Sequence, residues 1–317
     1  MPHERVDAAV AFVNDDGRFF DRFLHGFVQE VPIHAPVPIR QGFRAVEMEA
    51  GDGETGCAEL HSRQGRVRFE RTADNGMPFP RVKGQMYDYD FRLPLAIRWG
   101  DRCPGGRVVD DLVCFIDFAP TFLEAAGLPM HPQFAGKSLM NLLTTDRSGR
   151  VDPERDRVYL GRERHDLGSE NDASYPVRCI RTEKFLYIRN FMPHYWPAGN
   201  PETGFTNYDS SPTKSLIIRM YEEEGNDYYY NLAFGKRPLE ELYRMDVDPY
   251  CMNNLADDPA YRTVKEEIWE DLRRKLIETR DPRMEGKGHL FDEYEYCGPN
   301  SHSWKAYKEG WWESQRY

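Results

Sequence analysis

The chain reads as an α/β protein in its first 150 residues and as short strands with one helix after that. Three observations carry this reading. Val6–Val13 (VDAAVAFV) has apolar residues at helical spacing, and Pro94–Trp99 (PLAIRW) is a short apolar run of strand length. After about residue 150, VYLGRERH, VRCIRTEKFLYIRN and ELYRMDVDP alternate or carry aromatic and β-branched residues between Pro-, Gly- and Asn-rich loops, the pattern of short strands. Val264, Ile268, Trp269, Leu272 and Leu276 then fall on one helical face with charges elsewhere.

Composition bounds the function without assigning it. With 317 residues, 40% hydrophobic and 13% aromatic, the chain buries one substantial core and a satellite, so a large domain and a smaller one are expected. The formal charge of -11 argues against nucleic acid or an anionic membrane as general partner, because both need a basic face. The six cysteines contain no C-x-x-C pair, so spacing encodes neither a zinc site nor a disulfide framework. No apolar run approaches the roughly 20 residues of a membrane span, and MPHERVDAAVAFV lacks a signal-peptide pattern. Oligomeric state is not encoded.

Along the chain, the Val6–Val13 helix precedes RFFDRFLHGFVQEVPIHAP, an apolar stretch interrupted by Asp21 and Arg22. Residues 38–71 have no sustained period of either kind. Gly65–Arg71 places four charges in seven positions, which is costly in a strand covered on both faces. It is read either as a frameshifted, truncated or decayed segment or as an edge strand with one wet face. Pro120 near a helix start and Gly127 past its end bracket Thr121–Ala126, with Asp117 and Thr121 as caps. Residues 286–317, rich in Tyr, Trp, Glu and His, form a tail without a period. The expected divisions are 1–150, 151–285 and 286–317.

The most informative segment is TADNGMPFPRVKG. Asp74 and Asn75 set a carboxylate and an amide side by side at a turn permitted by Gly76, and Lys83 lies eight positions beyond Asn75. Oxygen ligands of this kind suit Ca²⁺ or Mg²⁺, and an ammonium suits an oxyanion. Taken alone, Asp-Asn-Gly is far more often an ordinary turn than a metal site.

The wording around that turn resembles the sulfatase family. TADNGMPFPRVKGQMYDYDFRLPLAIRW is similar to its "T-S-D-N-G … K … LYD-G … PL-I-RWP" block, and DLVCFIDFAPTFLEAAGLPMHPQFAGKSLMNLL (Asp111–Leu143) and RPLEELYRMDVDPYCMNNLAD (Arg237–Asp257) resemble later family segments. YPVRCIRTEKFLYIRNFMPHYWPAGNP and Thr279-Arg280-Asp281-Pro282-Arg283 point toward the heparan N-sulfatase (sulfamidase) branch, with arylsulfatase-type members also similar. The likeness runs from about residue 72 to 284. It implies an α/β fold of alkaline-phosphatase type: a mainly parallel sheet flanked by helices, incomplete here, with a smaller C-terminal antiparallel sheet covered by a helix.

The resemblance also implies a sulfuric ester or sulfamate hydrolase acting on sulfated sugars of the glycosaminoglycan kind. One Ca²⁺ would be held partly by Asp74 and Asn75, and Lys83 would neutralise sulfate charge. His34 would be an active-site histidine, although a loop position before Ala-Pro is the simpler reading of that residue. Arg162 and His165 would grip sulfate or carboxylate groups of a small-molecule or oligosaccharide substrate; a solvated strand end is the alternative for both.

The family's formylglycine motif, Cys-x-Pro-Ser-Arg, is not encoded. Cys103-Pro104-Gly105-Gly106-Arg107 misplaces the proline, and Cys297-Gly298-Pro299-Asn300-Ser301 lacks the arginine. The chain is therefore expected to be the distal, truncated part of a sulfatase with little or no turnover alone. Two alternatives stay open, a non-catalytic relative that binds sulfated glycans and a metal-dependent phosphatase or phosphodiesterase of the same superfamily. Family members are typically periplasmic, lysosomal or secreted.

Overall fold

A computed structural model describes residues 10–11, 58–62, 65–73, 75–297 and 303–311. These residues fall into two compact units, one comprising Met1–Asp74 and Leu93–Asp156, the other Asn75–Arg92 and Arg157–Tyr317. The Asn75–Arg92 loop thus belongs with the second unit, although its sequence neighbours on both sides belong with the first.

In the first unit, β1 (Val10–Ala11), β2 (Ala58–Ser62) and β3 (Gly65–Thr72) precede the excursion into the second unit, which contains the single turn α1 (Asp88–Phe91). The chain returns as β4 (Leu95–Arg98), followed by β5 (Val108–Val109), α2 (Phe118–Ala125) and α3 (Met140–Thr144). The sheet order is β2-β3-β4-β1-β5. The β1–β4 pairing is parallel, while β2–β3, β3–β4 and β1–β5 are antiparallel. Only an antiparallel pair can be joined by a connection as short as the one between Ser62 and Gly65. The charged Gly65–Arg71 stretch is a strand with neighbours on both sides rather than an edge strand. A register shift between Phe69 and Thr72, opposite Ile97 and Leu95, marks a bulge as β3 approaches the Asp-Asn-Gly turn.

The core of this unit gathers Leu95, Ile97, Trp99, Val109, Ala125, Leu139, Leu142 and Leu143. Buried polar groups serve this framework. The Asp117 carboxylate accepts from the Cys114 and Lys137 backbone N–H groups and pairs with Arg155 at 2.8 Å. The Thr121 hydroxyl donates to the Asp117 carbonyl and accepts from Leu139 N–H. Asp117 stands at the N-cap position of α2, whereas Thr121 lies inside the helix rather than capping it, and both side chains are structural ties.

The second unit is a four-stranded antiparallel sheet, β6 (Arg157–Arg162), β7 (Val177–Thr182), β8 (Phe185–Asn190) and β9 (Glu240–Arg244), in that spatial order. Between β8 and β9 lie α4 (Pro212–Glu224) and α5 (Asp227–Phe234); α6 (Arg262–Glu278) and the short α7 (Leu290–Glu293) and α8 (Trp304–Lys308) follow. Strand alternation sends Leu186 and Ile188 to one face and Tyr187 to the other. The Tyr187 face packs on Leu272 and Leu276 of α6, and the opposite face receives Met86 and Tyr87 from the Asn75–Arg92 loop. Covered on both faces, β7 and β8 keep Val177, Cys179, Ile180, Leu186, Tyr187 and Ile188 almost wholly out of solvent. Among the described residues, no helix is long and apolar enough to cross a membrane.

Leu272 is fully buried, whereas Ile277 on the same helix is 50% exposed. Leu272→Ala is expected to lower the stability of this unit by about 2–5 kcal/mol, and Ile277→Ala by less than about 0.5 kcal/mol, measured by urea unfolding of the full chain.

Candidate functional site

The Asn75–Arg92 loop is fastened to the sheet at several points. The Asp88 carboxylate pairs with Arg181 on β7 at 2.8 Å and with Arg92 at 3.1 Å. The Tyr87 hydroxyl donates to Glu241 on β9 at 2.9 Å, and the Tyr87 ring centroid lies 4.1 Å from the Arg81 guanidinium and 5.5 Å from that of Arg237. Arg81 in turn donates to the Tyr250 and Cys251 carbonyls. Gly76 is required by close approach, since a Cβ there would lie 2.4 Å from the Tyr89 carbonyl oxygen.

Within this clamp the loop turns sharply around Asp90. Its buried carboxylate accepts from Gly84 N–H at 2.7 Å and Met86 N–H at 3.0 Å. Burial nevertheless pushes the Asp90 carboxyl above its usual range, against the pull of those two donors. Gly84 sits in the left-handed region at φ +72°, and its Cβ position lies 3.4 Å from the Arg162 guanidinium and from the His165 ring. Lys83, one residue earlier, pairs with Asp209 at 2.9 Å near the surface. The turn therefore brings Lys83 into the neighbourhood of Arg162 and His165, residues some eighty positions away in sequence.

Arg162 ends β6. One guanidinium nitrogen donates to the Pro197 carbonyl at 3.0 Å, and the group lies 5.4 Å from the centroid of the Tyr175 ring. Its Nε and Nη1 are buried without a hydrogen-bond partner among the described residues, as is the Tyr175 hydroxyl. Gln85 Nε2 and Asn207 Oδ1, on the loop and on the segment leading to Asp209, share that condition. Burial pushes the Arg162 pKa down and the Tyr175 pKa up, disfavouring charge on each. His165 is exposed. The protein packed around its ring, then the Arg162 charge and more weakly Lys83, hold its pKa below the ordinary 6.5, with Asp166 and Asp90 opposing.

The strand end that carries Arg162 and His165 is anchored by its own neighbours. Glu163 takes Arg178 and Arg283, each at 2.6 Å, and Arg178 also pairs with Asp281 at 2.7 Å. The Thr279–Arg283 segment singled out in the sequence is thus a brace for the strand end.

Of the residues expected at the site, the structure brings Lys83, Arg162 and His165 together, and places half-buried Asn75 at the start of the same loop. Asp74 and His34 lie outside the described residues. No group of three His, Cys, Asp or Glu side chains among the described residues could hold a metal ion. Asn75 is an oxygen donor of the kind Ca²⁺ takes, but the described residues supply no carboxylate shell around it. Asp90, Tyr175, Asn207 and Asp209 were not expected at the site. The only hint in the sequence is Tyr87-Asp88-Tyr89-Asp90, two carboxylates in an otherwise aromatic run.

Comparison with known proteins bears on this loop and sheet. The family model described as N-sulphoglucosamine sulphohydrolase, C-terminal, matches residues 82–197, which run from the Lys83 turn through Arg162, His165 and Tyr175. Over these residues the chain is similar to the C-terminal portion of sulfatases. It is 28% identical over 212 residues to an ulvan-active sulfatase of Formosa agariphila, covering 66% of this chain and 32% of the relative. It is 27% identical over 227 residues to human N-sulphoglucosamine sulphohydrolase, covering 67% and 41%. A solved structure described as BT4656 in complex with its substrate D-glucosamine-2-N,6-O-disulfate aligns with a TM-score of 0.44 and 21% identity, over 71% of this chain and 35% of that one. The chain thus spans about a third to two fifths of the length of these two relatives.

The depressed His165 pKa has a stability consequence. As pH falls below 6.5, the unfolded imidazole takes up a proton that the folded one resists, so stability falls toward the lower folded pKa. His165→Gln is expected to lose less stability than the parent chain between about pH 7.5 and about pH 5.5, measured by urea unfolding at each pH.

Proposed function

We propose that this portion of the sulfatase family binds the sulfated end of a sugar and that the whole protein hydrolyses sulfuric ester or sulfamate groups of glycosaminoglycan-like glycans. The observation that carries this reading is Arg162, a buried guanidinium with two unpartnered nitrogens beside Lys83 and His165. A buried unpaired cation is expensive, and the expense is recovered when an anion supplies the missing acceptors. A sulfate or sulfamate offers three oxygens and a negative charge to such donors.

In this reading Arg162 donates Nε–H and Nη1–H to sulfate oxygens or to a sugar carboxylate. Lys83 exchanges its surface partner Asp209 for the same anion. His165, neutral near pH 7, donates or accepts one hydrogen bond, and the Tyr175 hydroxyl donates another. Arg162 and Tyr175 are held in place before the ligand arrives, so charge on the transferred group meets oriented dipoles. Ca²⁺ belongs to the proposal through the oxygen donors Asp74 and Asn75, and when bound it would polarise a sulfate oxygen.

Isothermal titration with glucosamine N-sulfate is the test. Arg162→Ala is expected to weaken binding at least about tenfold, and Arg162→Lys to restore it only in part because the planar fork is lost. Lys83→Ala is expected to weaken it less, given its exposed position. Equal affinity in the parent chain and Arg162→Ala contradicts the reading. For the metal, Asp74→Ala is expected to abolish Ca²⁺ binding in a titration with calcium alone.

A further inference from the structure

The segment Trp196–Asp209 supplies the Pro197 carbonyl to Arg162 and Asp209 to Lys83. It also forms one wall of a separate half-open cleft of about 470 Å³, whose other walls are α4 and α5. Apart from Trp196, the lining residues lie beyond the end of the family match at residue 197. The apolar lining is aromatic: Trp196, Phe205, Tyr221 and Tyr230. The acidic lining is Glu202 and Glu222, both exposed.

This cleft is built on a fixed frame. Tyr221 stacks on Tyr230 at 3.9 Å, Phe205 stacks on Phe234 at 4.3 Å, and Trp196 meets Phe205 edge-on at 6.2 Å. The Lys214 ammonium, buried in α4, donates to the Phe205 and Tyr208 carbonyls and ties the helix to the loop. Thr203 donates to the Gly168 carbonyl and holds the Glu202 turn in place.

We propose that this cleft is a second carbohydrate subsite, one that takes a pyranose unit bearing free hydroxyl or ammonium groups and no sulfate. Aromatic surface suits the apolar C–H faces of a sugar ring, and carboxylates can only accept, so the ligand must be rich in donors. An ammonium gains further from the aromatic rings. Two carboxylates in the lining repel a sulfate, the opposite of the Arg162 site. The inference rests on the proposed reading only in taking a glycan as ligand; the two sites then divide one chain into a sulfated and an unsulfated unit.

Saturation-transfer NMR on the full chain tests it, with glucosamine, methyl glucoside and glucosamine N-sulfate as separate probes. Glucosamine and methyl glucoside are expected to receive saturation. Tyr221→Ala, at an exposed position, is expected to weaken both about tenfold, and Tyr221→Phe to retain them. Glu202→Gln with Glu222→Gln is expected to weaken glucosamine more than methyl glucoside. Binding of glucosamine N-sulfate is expected to respond to Arg162→Ala and not to Tyr221→Ala. Absence of transfer to both unsulfated sugars, or loss of their binding on Arg162→Ala with the cleft variants silent, overturns the proposal. If glucosamine N-sulfate ignores Arg162→Ala while the unsulfated sugars respond to Tyr221→Ala, the Arg162 reading falls and the cleft stands.

Discussion

The candidate site depends on the clamp that holds the Asn75–Arg92 loop against the antiparallel sheet. Glu241 is the centre of that clamp. It is 3% exposed, and its two oxygens accept from the Tyr87 and Tyr243 hydroxyls and from the Asn190 side-chain amide. A buried carboxylate with every oxygen engaged fixes geometry well, because moving any donor exposes an unsatisfied charge to a low dielectric. The same loop is locked by Asp88 on Arg181 and by Arg81 on two carbonyls. What the clamp fixes is the turn at Gly84, and through it the distance of Lys83 from Arg162.

Two buried arginines, Arg155 and Arg178, contrast with Arg162. Arg155 pairs with Asp117 at 2.8 Å and Asp152 at 3.6 Å and donates to two carbonyls. Arg178 lies between Glu163 and Asp281. Those groups are neutralised within the fold and act as braces. Arg162 has a carbonyl and an aromatic ring but no carboxylate at ion-pair distance among the described residues. Burial disfavours its charge and no carboxylate within the fold offsets that cost, which is the ground on which we propose an anion as its partner. The nearby Asp90 is engaged with backbone N–H groups and has its own charge disfavoured by burial; it favours the Arg162 charge from beyond ion-pair distance.

How far the sequence could be read follows the range of the physics involved. Helix α6 was legible because its apolar face repeats with the helical period, and Leu272 and Leu276 are buried as that period requires. Lys83 and Arg162 were legible as types through family wording. Their meeting was not, because it depends on a loop whose fold is closed by Asp90 and by contacts across more than a hundred residues, such as Tyr87 with Glu241. Tyr175 precedes a strand and reads as ordinary core; only the ring beneath Arg162 gives it a role. Helices α4 and α5 were missed, although Ser211-Pro212 at the start of α4 and left-handed Gly225 at its end are regular cap signals. The charges in Gly65–Arg71 suggested an edge strand, and backbone pairing on both sides won over that local rule.

The central claim, that Arg162 is a preset anion donor, is tested most directly by following its own Nε–H resonance during titration with glucosamine N-sulfate. The account predicts a saturable downfield shift of that resonance as a new acceptor takes the proton, with the Arg178 Nε–H, already held by Asp281, unmoved. A sugar that binds while the Arg162 resonance stays in place contradicts it.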